Sequence, residues 1–144
     1  MPRPAPWRLS PDAYPARETV QTRFQDLDPM GHLNNVAFAA LFETSRVKFN
    51  QRIGRRMNRD ASLRAVVARN EINYLAEGAF PADVEIASGI GAIGNRSWEM
   101  FAAMFQDGVP IATCDTTIVM TAPVGEPIPA DFRAAIEALR VREG

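Results

Sequence analysis

The sequence predicts an α+β fold in which an antiparallel sheet curls around one central helix. Three observations lead there. Residues 36–49 carry apolar side chains at helical spacing. Four segments after residue 64 are rich in Val, Ile, Thr and aromatic residues, and most of them alternate. The junctions Gly94-Asn95 and Asp107-Gly108 are hairpin signatures.

Residues 1–17 hold five prolines (Pro2, Pro4, Pro6, Pro11, Pro15), which remove backbone donors and resist regular structure. The expectation is an extended N-terminal arm, packed on the surface through Trp7 and Tyr14. Residues 18–26 alternate and hold β-formers, predicting a first strand. The helix is expected to start after Asn34 or Asn35, either of which can cap it. Phe38, Leu41, Phe42, Ser45 and Phe49 form its core face. Ala37, Ala39 and Ala40 let it approach a sheet closely, and Gly54 is the expected stop. Strands are predicted at 64–75, 82–93, 96–106 and 109–121. The third of these is apolar on both faces, which places it centrally. Pro129 and Asp131 start a short amphipathic helix over 129–142. The order is a single domain over 18–144 following the arm.

Composition narrows the function. Apolar residues make up 47% and charged residues 23%, ordinary for a globular protein, and the net charge is −1. No global field attracts nucleic acid or an anionic membrane. No apolar run approaches membrane-spanning length, and Met1–Trp7 lacks the apolar core of a signal peptide. A cytoplasmic location is expected. The single cysteine, Cys114, leaves no internal disulfide or cysteine-rich zinc site, and its apolar setting suits a buried structural thiol. No ligand cluster implies a metal or other cofactor.

The segment from Asp26 to Asn35, Asp-Leu-Asp-Pro-Met-Gly-His-Leu-Asn-Asn, is poor helix and poor strand. It places two carboxylates, the only imidazole and two carboxamides on a loop that feeds a helix N-terminus. An acid or base, a donor–acceptor ring and free backbone N–H groups then share one place, as chemistry at a carbonyl requires. Each residue also has a structural role available. Asp28 can shape the Asp-Pro turn, Asp26 can bond loop N–H groups, His32 can be a structural polar residue, and Asn34 and Asn35 can cap the helix.

This run, continuing into Val36-Ala-Phe38 and Leu41-Phe-Glu-Thr-Ser-Arg46, resembles the signature of hotdog-fold acyl-CoA thioesterases of the 4-hydroxybenzoyl-CoA thioesterase type. The related acyl-ACP thioesterases share much of it. Glu71-Ile-Asn-Tyr-Leu-Ala-Glu-Gly78 and Asp83-Val-Glu-Ile86 extend the resemblance, which covers roughly residues 18–122. It implies a hotdog fold, a homodimer or homotetramer built by edge-to-edge sheets, and an active site near the N-terminus of the central helix at the dimer interface.

The resemblance implies a catalytic role for Asp28, as general base or nucleophile on the thioester, with His32 assisting. It implies that the backbone N–H near Asn35 polarises the carbonyl. Gly31 and Asn34 complete the expected substrate-binding loop. Glu43 lies on the helix face of Asn35 and Ala39, either toward a partner subunit's site or in solvent. Met30 departs from the acyl-ACP pattern, which has asparagine there. Arg52, Arg55, Arg56, Arg59 and Arg64 form either a solvated basic face or a seat for coenzyme A phosphates. Asn70 interrupts an apolar strand face, to touch substrate or to pair with buried backbone. The expected function is hydrolysis of an acyl-CoA. A hotdog enoyl-thioester hydratase and a non-catalytic acyl-binding protein are the rivals.

Overall fold

The computed structural model describes residues 3–59 and 63–143, and the side chains of all of these except 54–59. The elements are β1 (Ala16–Val20), α1 (Asn35–Arg59), β2 (Arg64–Tyr74), β3 (Val84–Ile93), β4 (Ser97–Gln106), β5 (Val109–Ala122) and α2 (Ala130–Glu137). The strands form one antiparallel sheet in the order β1-β3-β4-β5-β2. The expected hairpins β3-β4 and β4-β5 are present, and β4 is central. The α+β architecture matches the expectation from sequence.

α1 lies across one face of the sheet. Leu41, Phe42, Phe49 and Ile53 bury their side chains there, against Ile86, Met104 and Cys114 at one end and Ile90, Trp98 and Met100 at the other. α2 covers the lower end through Phe132 and Ile136. Two layers thus share an apolar interior made of two core clusters, and burial of such surface is the main favourable term in folding.

The opposite face of β4 is also covered, which explains its two apolar faces. Phe101, Ala103 and Phe105 pack beneath Trp7, Ala13 and Tyr14. The arm is therefore not extended as expected. It folds into two 3-10 turns, Pro6–Leu9 and Pro11–Ala13, each opened by a proline whose missing N–H has no role at that position. Arg8 is buried in this layer. Its guanidinium donates to Asp115 Oδ1 at 2.6 Å and to the Tyr14 hydroxyl at 3.0 Å, and lies 4.4 Å from the Phe101 ring centre. The chain's far end joins it. Val141 N–H donates to Ile90 O, and Arg142 N–H to Ala13 O at 2.8 Å.

Several boundaries and one register differ from expectation; α2, for one, ends at Glu137 rather than at residue 142. β1 ends at Val20, because Phe24–Asp26 turns into a 3-10 segment closed by the Asp26 carboxylate. α1 continues past Gly54 to Arg59, since one glycine costs only about 1 kcal/mol inside a helix. A register shift between Val67 and Arg69 resets the alternation of β2. As a result Ala65 and Val67, rather than Val66 and Ala68, lie on the same side as Asn70.

Candidate active site

The loop from Asp26 to Asn34 is tied at several points. Leu27 and Leu33 form an isolated antiparallel bridge. Leu33 N–H donates to Gly78 O and Asn34 N–H to Asp26 O, each at 2.9 Å. The contact with Gly78 is so close that a β-carbon there would meet Leu33 Cδ1 at 2.5 Å. Gly31 takes φ +85°, a conformation that glycine adopts without steric cost, and so lets the chain reverse between Asp28 and His32.

Asp28 both shapes its own turn and lines a cleft. Its Oδ1 accepts the Met30 N–H at 2.9 Å and the His32 N–H at 3.1 Å, so the carboxylate shapes its own turn. Its Oδ2 has no hydrogen-bond partner among the described residues. The half-buried side chain lines a cleft of about 440 Å³ together with His32, Asn35, Phe38, Tyr74 and Glu77.

Asn34 is the helix cap. Its Oδ1 accepts the Ala37 N–H at 2.7 Å, and its carbonyl accepts the Phe38 N–H. The N–H groups of Asn35 and Val36 have no acceptor among the described residues. They sit at the positive end of the α1 macrodipole, a ready site for developing negative charge. Asp28, with a free carboxylate oxygen, and Asn35, with a free helix N–H, thus line one cleft.

His32 is turned from Asp28. Only its backbone N–H reaches that carboxylate, while its Nε2 lies 3.1 Å from Glu77 Oε2. This pair is exposed and contributes little stability. Glu43 does not join the group. It lines a separate cleft of about 710 Å³ with Thr19, Arg23, Lys48 and Asp83. Gly31 is exposed on the turn. Among the arginines, Arg52 donates to Glu18 at 2.6 Å and Arg64 is exposed, while the side chains of Arg55, Arg56 and Arg59 lie outside the described residues.

Asp26 is structural, as its position suggested. Burial alone would push its carboxyl up. The Arg23 guanidinium and the Arg23 backbone N–H outweigh burial and hold it below the usual carboxylate range. Such a group stabilises the fold above its unfolded pKa, and that contribution is lost as pH falls through the folded value. Asp26→Asn should therefore lower Tm at neutral pH, with the difference from wild type shrinking toward acid. Thermal scans from pH 3 to pH 7 check this. A constant gap across the range would mean that the charge of Asp26 is not what holds the turn.

Two residues of the cleft carry no functional signal in the sequence. Glu77 reads there only as part of a turn, yet its link to His32 joins two distant loops. Tyr74 reads only as a strand residue. Its hydroxyl donates to the Asn35 carbonyl at 3.4 Å, and its ring stands edge-on to Phe38 with centres 5.2 Å apart.

Comparison with known proteins adds family evidence. Residues 22–136 match the model of the thioesterase-like superfamily. No curated protein is significantly similar in sequence. A thioesterase of Thermus thermophilus, solved with coenzyme A and Zn, is 30% identical. The alignment covers 88% of this chain and 95% of that one, with a TM-score of 0.78. The predicted thioesterase of Bacillus stearothermophilus is 27% identical over 89% and 98% of the two chains, with a TM-score of 0.77. A protein of Pseudomonas aeruginosa is 27% identical over 90% and 94%, also at 0.77.

Proposed function

Because this chain belongs to the thioesterase-like superfamily and has its hotdog fold, the fold of a thioester hydrolase, we propose that its substrate is an acyl-CoA, hydrolysed with Asp28 as the reacting carboxylate. The observation that carries this is the pairing, across one cleft, of the free Asp28 Oδ2 with the unpaired N–H groups at the start of α1. The thioester carbonyl oxygen is held by the Asn35 and Val36 N–H groups. Negative charge grows on that oxygen as the carbonyl carbon is attacked, so the donors stabilise the transition state more than the ground state.

Asp28 either takes a proton from the attacking water or attacks the carbon itself. With water as the nucleophile, the thiolate of coenzyme A leaves and the carboxylic acid is formed directly. With Asp28 as the nucleophile, the thiolate leaves a mixed anhydride on Asp28, which a water then cleaves to release the acid and restore the carboxylate. The bonds from Met30 and His32 fix one carboxylate oxygen and leave the other available, so the group is held in position before substrate arrives. His32 and Glu77 assist at the rim of the cleft, and Gly31 and Asn34 shape the loop under the substrate.

The free edge of β2 supports a homodimer. Among the described residues β2 ends the sheet with β5 as its only neighbouring strand, and Val66, Val67 and Tyr74 are exposed along it. An unpaired edge of this length invites pairing with a second copy. In such a dimer Glu43 faces the site of the partner subunit. A cytoplasmic setting suits an enzyme acting on coenzyme A thioesters.

Thiol release, followed with a disulfide dye over short, long and aromatic acyl-CoAs, tests the activity. Turnover of at least one class is expected. No release from any of them, with enoyl-CoA hydrated instead, would replace hydrolysis by hydration.

A further inference from the structure

We propose that the groove between α1 and β2 selects acyl groups ending in an anion, such as a carboxylate, through Arg46 and Asn70. The proposal rests on the acyl-CoA hydrolase function above and names the substrate class of the same site.

α1 and β2 face each other at two levels. At the upper level Tyr74 meets Asn35 and Phe38, beside the Asp28 cleft. Arg46 lies about three turns further along α1, which returns it to nearly the same face as Asn35. Asn70 lies about 13 Å down β2 from Tyr74, also on the same side. The two meet through β5. Arg46 Nη1 donates to Thr116 Oγ1 at 3.5 Å, and Thr116 Oγ1 donates to Asn70 Oδ1 at 2.7 Å. Between the levels the half-buried Ile72 packs over a core cluster that holds the buried Phe42 and Cys114, so the exposed strip joining the levels is apolar at Ile72.

The protons in this lower cluster all run toward one atom. Burial pushes the Cys114 thiol up, so at neutral pH it keeps its proton and donates to Asn70 Oδ1 at 3.1 Å. With its oxygen taken by Thr116 and Cys114, the carboxamide of Asn70 presents its NH₂ elsewhere. That NH₂ and the remaining guanidinium N–H groups of Arg46 are donors only. Arg46 is half-buried, and among the described residues it has no carboxylate within 4 Å. A half-buried cation beside a free amide NH₂ matches an acceptor-only group, and a carboxylate accepts from both. An acyl group with its thioester at the start of α1, an apolar middle and an anionic end fits both levels.

The test compares two acyl-CoAs of equal length, one ending in a carboxylate and one in a methyl group. Wild type should favour the carboxylate by about tenfold to a hundredfold in kcat/KM, the range of a charge-assisted hydrogen-bonded pair. Arg46→Met keeps the stem packing and should abolish the preference without slowing the methyl-ended substrate. Asn70→Asp, which places a carboxylate against Arg46, should do the same. Equal kcat/KM in wild type, or a preference unchanged in both variants, overturns the proposal while leaving hydrolysis standing. Loss of the dimer in Arg46→Met, measured by sedimentation, with selectivity intact, overturns it in favour of a subunit contact. If neither compound releases thiol, calorimetric titration of the same pair decides. Tighter binding of the carboxylate-ended compound that is lost in Arg46→Met supports the subsite independently of hydrolysis, and equal affinity overturns it.

Discussion

Asp28→Asn is expected to lower kcat for acyl-CoA hydrolysis by about a thousandfold, with little change in Tm. The asparagine oxygen can still accept from the Met30 and His32 N–H groups, so the turn survives. What disappears is a group able to take a proton or attack a carbonyl. Asp28→Ala removes both functions. It should be as inactive, and in addition less stable by about 1–2 kcal/mol as two loop N–H groups lose their acceptor. The contrast between the two variants separates chemistry from architecture, which alanine alone does not. Rates by thiol release and stability by thermal denaturation read the two effects. An Asp28→Asn variant within tenfold of wild type would assign the water or the nucleophile to another group of the cleft.

Arg8→Met should destabilise the fold by about 2–3 kcal/mol, or 5–10 °C in Tm, while leaving the activity of the folded enzyme unchanged. Desolvation opposes the charge of this buried guanidinium. The Asp115 carboxylate and the Tyr14 hydroxyl outweigh that burial and keep its pKa above the ordinary value. Methionine fills the space over Phe101 but leaves Asp115 without its cation. Asp115 is a quarter exposed, so water softens the loss below that of a fully buried pair. A double variant with Asp115→Asn should recover part of the deficit, the signature of direct coupling. Simple additivity would mean that Arg8 acts through packing alone.

Much of the architecture is legible locally, because each part is specified by nearby residues. The helix follows from Phe38, Leu41, Phe42 and Phe49, and the hairpins from Gly94-Asn95 and Asp107-Gly108. The loop before α1 is legible for the same reason, since Asp28, Gly31 and Asn34 act on atoms within four residues. What escapes a reading of the sequence depends on distant partners. Arg8 is buried because Asp115 waits on β5, and five prolines give no hint of that. His32 turns to Glu77 because the loop beneath Gly78 brings them together. Asn70 is oriented by Thr116 and Cys114 on the adjoining strand, and the β2 bulge that sets its neighbours has no marker in the sequence. Gly54 does not stop the helix because a single glycine is a weak helix breaker.

The bond from Arg142 to Ala13 closes a ring that contains nearly the whole chain. Bringing such remote segments together carries a large share of closure entropy, and it is repaid only after the sheet between them exists. The two ends should therefore dock late and come away first, as one unit, before the sheet gives way. A protease added to the native enzyme would meet this clasp open more often than any strand. Amide exchange should show the outer faces of β3 and β4 wetting in step with both termini.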